Sequence, residues 1–255
     1  MNIVIIGAGR VGSALSIAFN KRGHRILKII SRSVDKAAGL ADILECEYGD
    51  EPVIPGESEV VIVAVKDDAL SDVLKNISVG RDAVIAHTAG SVGLDVFGEK
   101  AFNHGVFYPL QTFTHGRKYD FNTIPLFLEA NNKHSHMVLK SLALTLSENV
   151  FYLDSDKRRY LHLAAVFSSN FVNHMYSAGR EISGQAGMEF NVLLPLLRET
   201  LDKAGELGPE NSQTGPAVRN EKKTIEKHLD LLSFSPDLQK IYQVITDSII
   251  HKYTG

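Results

Sequence analysis

The chain has 255 residues, 44% of them apolar and 22% charged, enough for a substantial core in one large or two modest domains. A net charge of −3 gives no basis for a nucleic-acid partner or a membrane surface, and no apolar stretch reaches the length of a membrane span. The single cysteine, Cys46, excludes an intrachain disulfide and a multi-cysteine metal site, so a reducing, cytoplasmic setting is expected.

The apolar run Ile3-Val4-Ile5-Ile6 reads as a buried parallel strand rather than a signal peptide. It flows into Gly7-Ala8-Gly9-Arg10-Val11-Gly12, and residues 13–19 read as the following helix. In this setting each glycine has a physical task. Gly7 allows the tight turn, Gly9 lets the backbone approach a pyrophosphate, and Gly12 lets the helix pack close to the strand. The free N–H groups at the helix start supply an anion site, so the six residues from Gly7 to Gly12 are the expected phosphate grip of a dinucleotide.

Further strands are expected at 25–30, 59–65, 83–86, 106–108, 124–129 and 150–153, with helices at 34–44, 68–77 and 133–146. Strands separated by helical segments predict an α/β fold, a doubly wound sheet with mostly parallel strands. After Asp154 the pattern turns wholly helical, at 157–182, 190–207, 220–232 and 238–253, which predicts an all-α C-terminal domain. The expected organisation is a nucleotide-binding domain at 1–154 and a helical domain at 155–255 for substrate and dimerisation.

The second strand ends in Ser31-Arg32-Ser33, where an NAD-specific chain places an acidic residue against the ribose 2′-hydroxyl. An arginine flanked by hydroxyls suits a 2′-phosphate instead, which favours NADP over NAD. Asp35 lies past this contact and reads as a helix-start residue. Val65 and Lys66 end the next strand at the sheet's carboxyl edge, where Lys66 meets the cofactor, meets a substrate carboxylate, or is a solvated loop lysine. His87-Thr88-Ala89-Gly90-Ser91 ends another strand, and small residues such as Thr88 and Ala89 let the chain pass close to a nicotinamide.

These residues together resemble the family of pyrroline-5-carboxylate reductase and its F420-dependent NADP oxidoreductase relatives. The matching pieces are the glycine turn, Ser31-Arg32-Ser33 and Ala64-Val65-Lys66. Three further pieces resemble a narrower group, the Rossmann-like proteins carrying the domain DUF2520. They are Tyr108-Pro109-Leu110-Gln111-Thr112-Phe113, His162-Leu163-Ala164-Ala165 through Ser169-Asn170-Phe171, and Thr214-Gly215-Pro216-Ala217 through Arg219. The resemblance implies a Rossmann-type sheet, NADP as cofactor, a helical domain like that of 6-phosphogluconate dehydrogenase, and a homodimer formed through it. Departures are visible. The hydroxyl-rich Gly-Gly-Thr segment of pyrroline-5-carboxylate reductases is missing, and Asn220-Glu221 stands where the narrower group often has Gly-Asp. The lysine-plus-asparagine helix pattern of β-hydroxyacid dehydrogenases is absent, with His162 and Asn170 on comparable ground.

On one continuous helix at 157–182, Ser169 and Asn173 lie about 20° either side of His162, and Asn170 about 80° away. Leu161, Leu163, Phe167, Phe171 and Met175 surround this polar stripe. Its members either bond one another or line a polar ligand site, because buried groups without partners cost roughly 1–3 kcal/mol each. Pro109 fixes a turn with a trans or a cis bond, and Gln111 can donate and accept in the same cleft. Gly215-Pro216 reads as a helix start, with Arg219 either holding an anionic group or simply exposed. The catalytic candidates are His162 as proton donor, Lys66 as the second choice, and Asn170 and Gln111 to orient the substrate. No set of histidines, carboxylates and cysteine has ligand spacing, so no metal site is expected. Two functions fit: an NADP-dependent oxidoreductase acting on a small polar carbonyl or imine compound, or a non-catalytic NADP-binding sensor.

Overall fold

The computed structural model describes residues 1–98 and 102–254. Eight strands form one sheet: β1 Asn2–Ile6, β2 Arg25–Ile30, β3 Glu47–Gly49, β4 Val60–Val63, β5 Val84–His87, β6 His104–Pro109, β7 Leu126–Ala130 and β8 Val150–Tyr152. Their spatial order is β3-β2-β1-β4-β5-β6-β7-β8. Every pairing is parallel except β6 with β7, where Pro109 lies opposite Leu126. Parallel neighbours need a crossover; β6 and β7 are joined instead by a loop carrying only the 3₁₀ turn Phe121–Thr123, so the chain returns antiparallel. Pro109 therefore ends a strand rather than making a cis turn, and no described peptide bond is cis.

Helices α1 Arg10–Lys21, α2 Val34–Leu44, α3 Asp67–Lys75 and α4 Lys133–Leu146 alternate with these strands. Because a strand's side chains alternate, Ile3 and Ile5 join one buried cluster with Leu15, Phe19 and Leu139, whereas Val4 and Ile6 join another with Leu70 and Leu74. Apolar clusters on both faces are what near-continuous Val/Ile strands require.

The expected helix at 157–182 is not continuous. It comprises α5 Ser155–Ala165, a π turn Val166–Phe171, and α6 Val172–Gln185. A π turn accommodates an extra residue, so the count of about 100° per residue does not carry from His162 across to Asn173. Beyond α6 lie α7 Leu194–Leu207, the short α8 Pro209–Ser212, α9 Lys222–Leu231 and α10 Pro236–Thr254. Asn220 has a left-handed φ of 50°, which delays α9 to Lys222 and leaves Pro216 in a turn rather than at a helix start.

Two compact units divide the chain, Met1–Asn170 and Phe171–Gly255. Elements change character at Asp154, but α5 and the π turn up to Asn170 belong with the sheet, and Phe171 begins the second unit. No described helix is long and apolar enough to cross a membrane.

Candidate cofactor and substrate site

The turn between β1 and α1 is built as its glycines predict. Gly7 has a φ of +108°, and a methyl group there would lie 2.3 Å from the Ala64 carbonyl oxygen. At Gly12 a methyl would lie 1.9 Å from the carbonyl oxygen of Gly7, so the start of the helix rests directly on the turn. Gly9 differs: no atom lies within 4 Å of an added methyl, so nothing in the protein requires a glycine there. Gly9 is the N-cap of α1, whose first turn carries no acidic residue and whose cap makes no side-chain bond, so its first N–H groups are left for an anion.

This turn borders a cleft of about 900 Å³ along the carboxyl ends of β1, β2 and β4. Gly7, Ala8, Gly9, Ser31, Arg32, Ser33, Val65 and Lys66 all line it. The sequence does not mark other residues on the wall, among them Lys36, Asp50, Pro52, Asp72 and Asn76. Lys36 lies four residues beyond Arg32, in the first turn of α2. Of the other expected cofactor residues, Gly12 serves the packing beneath the turn, and Arg10 and Val11 are not part of the cleft wall. Thr88 and Ala89 also lie outside it, with Ala89 buried in the apolar cluster behind β5. The open glycine, the helix N-terminus and three cations, Arg32, Lys36 and Lys66, fit a dinucleotide that carries an extra phosphate, with the carboxylates of Asp50 and Asp72 on the same wall.

A second group forms where β5, β6 and α5 meet. The Tyr108 hydroxyl lies 3.0 Å from Nδ1 of His162, with the rings edge-on at 6.0 Å. Gly90 presses against both: a methyl there would lie 2.6 Å from His162 Nδ1 and 2.9 Å from Tyr108 Cζ. Burial pushes the Tyr108 phenol up, so it keeps its proton at neutral pH. The four catalytic candidates have different surroundings. Lys66 belongs to the cofactor cleft and precedes α3. Gln111 accepts a bond from the Thr112 N–H at 2.8 Å and lines a separate polar recess of about 300 Å³ in the loop before β7. Asn170 is exposed on the π turn. Only His162 has a titratable partner. Arg219 is exposed and held by Glu221 at 2.6 Å, so its guanidinium is already paired.

A Rossmann-like domain model matches residues 1–108, and a domain of unknown function, DUF2520, matches residues 124–249. A Bacteroides fragilis protein provisionally named an NADP oxidoreductase is 38% identical over 98% of both chains, with a TM-score of 0.91. The chain belongs to the DUF2520 family of Rossmann-like proteins. More distant solved structures share the fold of this DUF2520 protein. An Aspergillus terreus reductive aminase, in complex with NADPH, cyclohexanone and allyl amine, is 14% identical over 98% of this chain and 94% of its own, at a TM-score of 0.74. A Streptococcus pyogenes 1-pyrroline-5-carboxylate reductase is 16% identical over 98% of both chains, at 0.63. No curated protein matches the chain.

The DUF2520 protein also carries a buried network that the sequence did not reveal. Arg158 on α5 is fully buried and paired with Glu129 of β7. It also donates to the Val92 carbonyl in the loop after β5. Glu129 accepts in addition from the Ser155 N–H at 3.0 Å and the Ser155 hydroxyl at 2.8 Å. The same loop is tied again by Leu94 N–H to Ser155 Oγ at 3.2 Å and by Arg159 Nε to the Ser91 carbonyl at 3.2 Å. Ser91 donates to Asp67 at the start of α3. The loop beside Gly90 is thus lashed to the first turns of α5. His87, at the end of β5, is fully buried and accepts from the Ala89 N–H at 3.2 Å. Burial, reinforced by Arg158, pushes it down to about 4, so it stays neutral at physiological pH. No group of three or more histidines, cysteines or carboxylates among the described residues is placed to hold a metal ion.

Proposed function

We propose that this DUF2520 protein is an NADP-dependent oxidoreductase that passes a hydride between NADPH and a small polar carbonyl or imine compound. One observation carries the reading. The cleft joins a glycine left open at a helix N-terminus to two cations, Arg32 and Lys36, at the carboxyl end of β2. The N–H groups of α1 would hold the pyrophosphate, and Arg32, Lys36, Ser31 and Ser33 the 2′-phosphate. When bound, the cofactor supplies the hydride. The chain's own task is to orient the substrate and provide a proton, and His162 is the group suited to it, worth about 10²–10⁴-fold. The name of the Bacteroides fragilis relative and the NADPH held by the reductive aminase support the same reading. The His162–Tyr108 pair favours chemistry over a purely sensing role.

The reading includes a cytoplasmic homodimer formed through the helical unit. Within that unit Leu196, Leu201 and Val244 are 62%, 73% and 68% exposed, apolar side chains that a second copy would cover. The direct test follows NADPH absorbance with a panel of small 2-oxo acids, ketones and ketone–amine mixtures. Oxidation of NADPH by at least one member is expected. Binding of NADPH without turnover across the whole panel would favour the sensor and contradict the enzyme.

A further inference from the structure

We propose that Tyr108 is a positioning residue for His162: it holds Nδ1, so that Nε2 is the nitrogen that delivers the proton to substrate. The proposal rests on the reductase reading and names the working atom within it.

Three independent constraints fix the pair. Tyr108 stands in β6, between β5 on one side and β7 on the other, and its ring packs 6.5 Å from that of Phe127. Only 8% of it is exposed, so the sheet sets the place of the phenol and the substrate does not reach around it. Its hydroxyl meets Nδ1 at 3.0 Å, which assigns that nitrogen to the protein. The main chain at Gly90 closes the third side, leaving no room for even a methyl group beside Nδ1 or the phenol ring. Arg158, four residues before His162 on α5, fastens the helix to β7 and to the loop after Gly90, so the imidazole does not drift. His162 itself is half-buried, and with Nδ1 occupied its reachable nitrogen is Nε2. A base held at one nitrogen by an oriented partner and working through the other is the arrangement that general acid–base catalysis uses repeatedly.

The step balances as follows. The substrate carbon gains the hydride, and the electron pair of its double bond moves to the oxygen or nitrogen. That atom takes the Nε2 proton of the imidazolium. Neutral imidazole remains with its Nδ1–H donated to the Tyr108 oxygen, and Nε2 takes up a proton from the solvent pool (hydronium or buffer acid), the one proton that each turnover consumes. The phenol keeps its own proton throughout, as its burial favours.

The test compares wild type, Tyr108→Phe and Gly90→Ala by two readouts. The first is ¹⁵N NMR of the His162 ring without cofactor. In both variants the Nδ1 resonance is expected to move while Nε2 changes little. The second is NADPH oxidation with cyclohexanone plus allyl amine and with ethyl levulinate as probes. In Tyr108→Phe, kcat is expected to fall about 10- to 100-fold, less than the full value of an acid, with KM and NADPH affinity within about twofold. Gly90→Ala keeps the hydroxyl and the imidazole but drives a methyl between them, so it should show the same kcat loss. An unmoved Nδ1 resonance, or a Tyr108→Phe enzyme with wild-type kcat, overturns the proposal and leaves the reductase reading standing. A wild type that binds NADPH but oxidises it with neither probe, nor with any member of the wider panel, overturns both.

Discussion

Gly12→Ala is expected to abolish the folded state or bring it close to its limit, whereas Gly9→Ala, three residues away, leaves stability nearly unchanged and weakens cofactor binding. The two glycines belong to one motif but answer to different physics. A methyl at Gly12 meets the Gly7 carbonyl at 1.9 Å, and that carbonyl belongs to a turn already pinned by the Gly7 N–H bond to Ile30 at 2.7 Å. Gly7 in turn has the Ala64 carbonyl against it. No flexible side chain is there to yield, so the helix must move off the strand. We expect a loss of about 3 kcal/mol or more, a large share of the roughly 5–15 kcal/mol that holds a domain folded. Gly9, by contrast, has extended backbone with a φ of −82° that alanine adopts freely, and open space on its outer side. Its replacement should alter stability by about 0.5 kcal/mol or less, with a slight gain from the stiffer unfolded chain. The open space is what a pyrophosphate needs to reach the N–H groups of α1. A methyl there should weaken NADPH binding at least tenfold, about 1.4 kcal/mol. Urea denaturation of both variants, with calorimetric titration of NADPH into Gly9→Ala, separates the two effects. Equal stability losses in the two variants would show that the glycines serve the fold alone.

Glu129→Ala is expected to be nearly as damaging, although residue 129 lies on β7, away from the glycine turn. Its partner Arg158 has a side chain only 1% exposed, against 16% for Glu129, so removing the carboxylate strands a guanidinium charge away from water. Breaking a buried pair on one side costs about 3–5 kcal/mol, because the remaining charge has lost its compensation. Ser155 would lose its acceptor as well, loosening the start of α5 and the loop from Ser91 to Leu94 that it holds. Replacing both members, Glu129→Leu with Arg158→Met, should recover much of the loss, since an apolar pair of similar volume avoids the desolvation of two ions. Thermal and urea unfolding of the single and double variants give the coupling directly. A double variant no more stable than Glu129→Ala would show that the pair's worth lies in the loop it organises rather than in charge balance.

The parts of this molecule that could be read from the sequence are those set by neighbours in the chain. The opening strand, turn and helix follow from four β-branched residues and three glycines within the first twelve positions, and the cleft they border is where the sequence placed it. Ser31, Arg32 and Ser33 were legible because they end a strand whose own pattern is clear. What escaped was set by distance along the chain. Tyr108 and His162 are 54 residues apart, and Glu129 and Arg158 are 29 apart; neither pairing leaves a periodic trace. The three-residue strand β3 is too short for alternation to show. The π turn at Val166–Phe171 misled in a different way, because the residues there have ordinary helical character and only the geometry of the turn departs. An angular count of about 100° per residue does not carry across it. Gln111 follows the end of β6, and the one bond its side chain makes there, Oε1 accepting from the Thr112 N–H, is a local one that no pattern in the sequence marks.

Calorimetric titration of the wild-type protein with NADPH and, separately, with NADH tests the central claim most directly. Saturable heat with NADPH, and affinity at least about tenfold weaker for NADH, is the outcome expected from Arg32 and Lys36 facing a 2′-phosphate. No heat with NADPH or NADP⁺, or tighter binding of NADH, would contradict it.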